Sequence, residues 1–301
     1  MSGRTIVPGT FDGVHLGHLF LLDKAKKIAA GTLLTVLTFH PHPLIFLGEK
    51  REDFLLTTPE EKVELLKSAG VEEIITLTFD SELRDMTADR FFREILIEML
   101  SAKKIVVGED FRFGKGREGD VEKLLNLGKS YNVEVFICPF FRISGEEVKS
   151  ERIRNLLKMG EVKRANEMLG RFYSLRGIVI RGKGLGRKIG YPTANLEVVK
   201  EKLLPAKGIY AVRGKIKGEI HDAICYIGDS PTVSEGSKLS VEVHIFGMDR
   251  ELVGEELEVF FIERIREERQ FPSLEELANQ IEKDIKEAQR ILFAKKDINI
   301  G

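Results

Sequence analysis

The feature that most constrains this chain is a change of rhythm after Phe172. Before it, apolar strand-like runs alternate with helical patterns. After it, strand-like runs follow one another across glycine-bearing turns, with no helical stretch between them. In the first half the strand candidates are 4–7, 32–39, 73–79, 103–107 and 133–138, each rich in Ile, Val, Leu, Thr or Phe. Thr58-Pro59-Glu60-Glu61 is a capping box with proline at the first helical position, followed by Val63, Leu66 and Ala69 on one side. Thr87 opens another helix, with Phe91, Phe92, Ile95, Leu96 and Met99 at helical spacing. Asp120 precedes a third that carries Val121, Leu124, Leu125 and Leu127. This alternation predicts a doubly wound parallel sheet with helices on both faces, and ligands in such sheets bind beyond the carboxyl ends of the strands.

The second half predicts a small antiparallel β-barrel from the runs 173–181, 209–216, 220–227, 239–246 and 257–265. Ser273-Leu274-Glu275-Glu276 then starts a terminal helix. Its stripe of Leu277, Ile281, Ile285, Ala288 and Leu292 is expected to pack on the barrel. The fold class is therefore α/β, with an N-terminal domain at 1–158 and a C-terminal barrel domain at 159–301. Short helices over 150–169, ending at Gly170, form the bridge. A length of 301 residues suits two domains, each able to bury a core.

The net charge of -1 gives no electrostatic case for nucleic acid as a partner. No apolar run approaches the length that spans a bilayer, so no membrane association is expected. The N-terminus enters a strand at once and lacks a signal-peptide pattern. Two widely separated cysteines, Cys138 and Cys225, do not suggest a disulfide framework. The expectation is a cytoplasmic protein, with its oligomeric state left open.

Residues 8–18 read Pro-Gly-Thr-Phe-Asp-Gly-Val-His-Leu-Gly-His, a glycine-bearing turn between the first strand and a helix. The spacing puts His15 and His18 on one face of the first helical turn. Free backbone N–H groups at a helix start attract anions, and two imidazoles there add hydrogen bonds or positive charge to a phosphoryl group. A zinc site or a plain surface turn is the alternative, but zinc needs further ligands and the cysteines are distant in sequence, while a plain turn needs neither two histidines nor three glycines. Residues 39–43, Phe-His-Pro-His-Pro, form either a rigid binding wall or a structural turn. In 108–119, Phe111 and Phe113 suit stacking on a flat ring, while Arg112, Lys115 and Arg117 suit phosphate. A flexible loop without a ligand is the alternative there. Ser150, Arg152 and Arg154 place a hydroxyl and two guanidiniums at another helix start.

In the second half, 182–195 is a glycine-rich run starting Gly182-Lys183-Gly184 and ending Pro192-Thr193-Ala194-Asn195. Its spacing and Pro192 exclude a dinucleotide-binding fingerprint, and no Lys-Ser or Lys-Thr pair closes a Walker loop. Its backbone can still wrap phosphates, and Thr193 and Asn195 offer oxygens to a hydrated magnesium ion. Glu242 and His244 alternate on one strand and share a face. If that face points into the barrel, burial raises the Glu242 pKa and makes it a usable general base. If it faces solvent, Glu242 is a surface charge.

Taken together, these residues resemble the prokaryotic bifunctional riboflavin kinase/FMN adenylyltransferase family, also called FAD synthetase, over about residues 4–293. In the first half the resemblance rests on 9–18, Pro41-His42-Pro43 and 108–114. In the second it rests on 190–195, 208–211, Pro231-Thr232 and 241–244. It implies a nucleotidyltransferase domain followed by a kinase barrel, with riboflavin, FMN, FAD and ATP as substrates and products, and Mg²⁺. It implies Glu242 as the kinase base, with Thr193 and Asn195 at the Mg–ATP. His15 and His18 would stabilise charge during adenylyl transfer, next to ATP contacts at Gly9, Thr10 and Phe11. Ser150 and Arg154 match the element that holds the β and γ phosphates. Asp110, Phe111 and Phe113 match a flavin-side loop that Arg117 extends. Two departures stand out. Lys149-Ser150-Glu151 replaces the usual Ser-Ser-Thr, and Gly247 stands where Asp often follows the Glu-x-His strand.

Overall fold

The computed structural model describes residues 3–50, 52–182, 186, 190–229 and 239–295. The chain divides into two compact units, with the boundary between Ser150 and Glu151.

The first unit is built on five parallel strands: β1 (Arg4–Pro8), β2 (Leu33–His40), β3 (Glu73–Thr78), β4 (Ala102–Gly108) and β5 (Glu134–Cys138). Their order is β3-β2-β1-β4-β5, and β6 (Arg142–Ile143) and β7 (Glu146–Glu147) pair with each other apart from this sheet. Neighbouring residues on one strand feed opposite cores, as the strand period of two requires. Ile6, Ile105 and Val107 pack with Phe91, Phe92, Leu96 and Leu124 on one face. Val7 and Val106 pack with Leu22, Ala25 and Leu66 on the other. The helices of this unit are α1 (Leu16–Ile28), α2 (Pro43–Phe46), α3 (Pro59–Ser68), α4 (Ser81–Asp85), α5 (Ala88–Arg90) and α6 (Val121–Tyr131); α1 and α3 cover one face of the sheet, and α6 with the segment Phe91–Met99 covers the other. Thr58 and Glu61 form the expected capping box. The helix starting after Thr87 differs from expectation, because Phe91–Met99 adopts a wider π-type turn. The wider turn carries Leu100 to the core, 2% exposed, and leaves Met99 at the surface, 56% exposed.

Strand order reverses at β1, whose neighbours are β2 and β4. The crevice at such a switch point lies between the loops that leave the two central strands. Here those loops are 9–15 and 109–119.

The second unit contains a closed barrel of six strands: β8 (Tyr173–Ile180), β9 (Ala194–Val198), β10 (Gly208–Ile216), β11 (Glu219–Asp229), β12 (Leu239–Ile245) and β13 (Glu256–Arg266). They close in the order β10-β11-β12-β9-β8-β13. The short β9 has no counterpart among the strands expected from sequence, and it carries Asn195. Cys225 lies opposite Val243, and Ala223 opposite Ile245, all four filling the barrel interior. On the outer face Ala211, Ile224 and Ile262 pack under Ala288, Ile291 and Leu292 of the terminal helix, Leu274–Phe293. The apolar stripe of that helix thus covers the barrel as expected.

Candidate active site

In the first unit the turn after β1 is held in a demanding conformation. Phe11, Gly13 and Val14 all have positive φ, at 51°, 85° and 36°. For a β-branched residue such as Val14 this is costly, and it persists only where surroundings enforce it. Asp12 is part of that enforcement. Its buried carboxylate accepts from the Leu56 N–H at 2.9 Å and the Thr57 N–H at 3.1 Å. The Gly13 N–H donates to Thr57 Oγ1 at 3.0 Å. The Ser150 hydroxyl donates to the Asp12 carbonyl at 2.8 Å.

His15 is the N-cap of α1, and its Nδ1 accepts from the His18 N–H at 3.3 Å. That bond leaves Nε2 as the proton-bearing nitrogen of the neutral ring. The two imidazoles stack with centroids 3.7 Å apart, and the Phe11 ring lies 5.0 Å from that of His18. Gly17 is required between them, because a Cβ there would lie 2.8 Å from the Val148 carbonyl and 3.1 Å from the His15 ring. The structure therefore brings Gly9, Thr10, Phe11, His15, His18 and Ser150 to the carboxyl end of β1. Arg154 lies one turn beyond Ser150 on helix α7 (Ser150–Lys158).

The loop after β4 carries Asp110, Phe111, Phe113 and Arg117. Phe111 and Phe113 stack on each other at 5.6 Å. Phe113 is buried in the core against Phe91, while Phe111 is half-buried above it. Phe113 therefore acts as the floor beneath Phe111. Asp110 and Arg117 are exposed. Lys149, one of the two departures, is engaged inside its own unit. Its Nζ lies 2.9 Å from Glu147 Oε2, 3.7 Å from Asp110 Oδ2 and 3.7 Å from the centre of the Phe140 ring. His42 caps the short helix Pro43–Phe46, its Nδ1 accepting from the Leu44 N–H at 3.2 Å, which gives 39–43 a structural role.

In the second unit, register puts Glu242 opposite Asn195 on one side and Tyr226 on the other. The Thr193 hydroxyl donates to Glu242 Oε2 at 3.2 Å. These side chains lie on the outer face of the barrel, since the interior belongs to Val241, Val243 and Cys225. Neither sequence alternative for Glu242 describes this place. It is neither inside the barrel nor a bare surface charge, but half-buried in a polar cradle. His244, on the same face, bonds through Nδ1 to the Pro192 carbonyl at 2.8 Å and so ties Pro192-Thr193 to β12. Gly182 lies under Asn195: a Cβ at 182 would come within 2.1 Å of the Asn195 amide nitrogen. Lys183, Gly184, Pro231 and Thr232 lie outside the described residues.

Sequence reasoning missed three members of these sites. Tyr226 bonds through its hydroxyl to Glu268, and burial, reinforced by that bond, pushes its pKa up. It is thus a neutral hydrogen-bonding group beside Glu242. Glu268 follows β13, where nothing in its local pattern marks it. Lys62, on α3, is buried at 9% exposure. A lysine in the first turn of a capped helix, against the helix dipole, was the available signal.

A histidine pair at the switch point of a parallel sheet, and a carboxylate–hydroxyl–amide set on the flank of a barrel, define a two-domain phosphotransfer enzyme. Residues 2–152 match the family model described as FAD synthetase, and residues 169–292 match that described as riboflavin kinase. The chain belongs to the bifunctional riboflavin kinase/FMN adenylyltransferase family of flavin cofactor biosynthesis. It is 36% identical to the member from Bacillus subtilis over 287 residues, covering 94% of this chain and 90% of that one. Against the member from Escherichia coli K12 the identity is 34% over 286 residues, covering 94% and 91%. A crystal structure from Streptococcus pneumoniae, described as a macrolide-efflux protein, superposes with a TM-score of 0.87 at 33% identity, covering 96% of this chain and 95% of that one. No helix among the described residues is long and apolar enough to cross a membrane.

Proposed function

We propose that the two units act in succession, the barrel making FMN and the parallel-sheet unit converting it to FAD. In the first step the ribityl 5′-oxygen of riboflavin attacks the γ-phosphorus of ATP. Its proton passes to the Glu242 carboxylate, the bridging P–O bond to the β-phosphate breaks, and ADP leaves. Thr193 and Asn195 would hold magnesium together with the nucleotide. They supply hard oxygen donors, and the side-chain-free Gly182 leaves room against the Asn195 amide, so the set fits a hydrated divalent ion. When bound, magnesium supplies positive charge against the β and γ phosphates. His244 keeps Thr193 beside Glu242 by anchoring Pro192. Gly182, Lys183 and Gly184 are assigned to the phosphates.

In the second step a phosphate oxygen of FMN attacks the α-phosphorus of a second ATP. The bridging bond to the β-phosphate breaks, and pyrophosphate leaves. No proton needs to be taken from the attacking phosphate, so positioning and charge stabilisation carry the rate. His15 and His18 serve the developing charge. Gly9, Thr10 and Phe11 line the nucleotide, Ser150 and Arg154 hold its β and γ phosphates, and Asp110, Phe111, Phe113 and Arg117 form the flavin side. We assign 1–158 to adenylyl transfer and 159–301 to the kinase, and place the protein in the cytoplasm.

The observation that supports this reading is that one chain holds two separately packed units, one with the stacked His15 and His18 and the other with the Thr193–Glu242 hydrogen bond. Two variants test it together. Glu242→Gln should form no FMN from riboflavin while still converting supplied FMN to FAD. His18→Ala should accumulate FMN and lose FAD formation by about 10²–10³-fold, the usual effect of losing one charge-stabilising contact. FMN formation by Glu242→Gln within a few-fold of the parent would remove Glu242 as the base. Undiminished FAD formation by His18→Ala would do the same for His18.

A further inference from the structure

The Lys62 ammonium sits where a positive charge is costly twice over. It is 9% exposed, and it lies in the first turn of α3, at the positive end of the helix dipole. Burial pushes its pKa down, and the neighbouring Asp12 carboxylate opposes that shift. Its Nζ donates to Thr38 Oγ1 at 3.1 Å, to the Thr10 carbonyl at 3.3 Å and to the Phe39 carbonyl at 3.4 Å. The Thr38 hydroxyl itself donates to the Thr10 carbonyl at 3.1 Å. Two donors from two elements therefore converge on one backbone oxygen in the turn that follows β1.

The Thr10 carbonyl and the Phe11 N–H belong to one planar trans peptide and point in opposite directions. Holding the oxygen against α3 and β2 aims the Phe11 N–H away from them. It also fixes the peptide that enters the left-handed Phe11 conformation. We infer that Lys62, relayed through Thr38, is a positioning residue for adenylyl transfer: it orients the Thr10–Phe11 peptide and sets a buried positive charge behind the turn that receives the triphosphate. This rests on residues 8–18 being the adenylyl site.

The test uses the full chain and measures FMN adenylylation against ATP concentration. Lys62→Met should lower kcat/KM for ATP at least tenfold, mostly by raising KM, and leave riboflavin phosphorylation within twofold. Lys62→Arg, which keeps the charge, should recover most of the loss. Thr38→Val, which keeps the charge and removes the relay, should fall between. His18→Ala is run alongside. If His18→Ala impairs adenylylation while a folded Lys62→Met, judged by its thermal transition, keeps its ATP KM, the role of Lys62 is wrong. If Lys62→Met and Lys62→Arg are equally impaired, charge is not its contribution, and the inference fails on that ground. If His18→Ala has no effect, the site assignment itself fails.

Discussion

His15 accepts a hydrogen bond at Nδ1, so the neutral ring carries its proton on Nε2 as a donor. Its ring stacks on that of His18 at 3.7 Å, so each imidazole fixes the orientation of the other. At Gly182 an added methyl would strike the Asn195 amide, the group assigned to magnesium. Gly182→Ala should therefore displace that amide and lower kinase turnover, by up to about 10²-fold on the scale of a 1 Å misplacement, while FMN adenylylation stays unchanged. Steady-state rates of the two reactions on the same preparation check this. Equal rates for Gly182→Ala and the parent would show that the Asn195 amide does not need its present place.

At the scale of elements, the turn after β1 is tied to the loop before α3 by the Asp12 carboxylate, which accepts from two buried N–H groups. Removing it leaves those donors unsatisfied. Asp12→Ala should destabilise the first unit by about 2–5 kcal/mol, while Asp12→Asn, which keeps an acceptor, should cost less. Denaturant unfolding followed by a probe in the first unit measures this, and equal stability of the two variants would contradict the role given to the carboxylate. Much of this architecture was legible in sequence because it rests on local patterns. The five parallel strands, the Thr58 and Ser273 caps and the stripe on the terminal helix all follow from period and capping chemistry. What stayed hidden depends on register. Strand β9 follows Pro192 and is only five residues long, so it carries little alternation. Which face of β12 bears Glu242 is decided by its pairing with Tyr226 and Asn195, partners far away in the chain. Lys62 reads as a surface charge until β2 and the β1 turn close around it. Met99 and Leu100 exchanged places because a π-type turn leaves no local signature in the apolar spacing.

For the whole molecule, the two units each contain their own core, and each matches its own family model, FAD synthetase in the first and riboflavin kinase in the second. The chain is thus two enzymes in series, and the intermediate is the product of one and the substrate of the other. A fragment of residues 1–158 should adenylylate supplied FMN and fail to act on riboflavin. A folded fragment without activity would place part of the adenylyl site in the remainder of the chain. The most direct measurement of the central claim follows the flavins over time when the full chain is given riboflavin, ATP and Mg²⁺. FMN should appear first and then give way to FAD, with ADP released in the first step and pyrophosphate in the second. Riboflavin left unchanged, or FMN accumulating without FAD, would contradict the account.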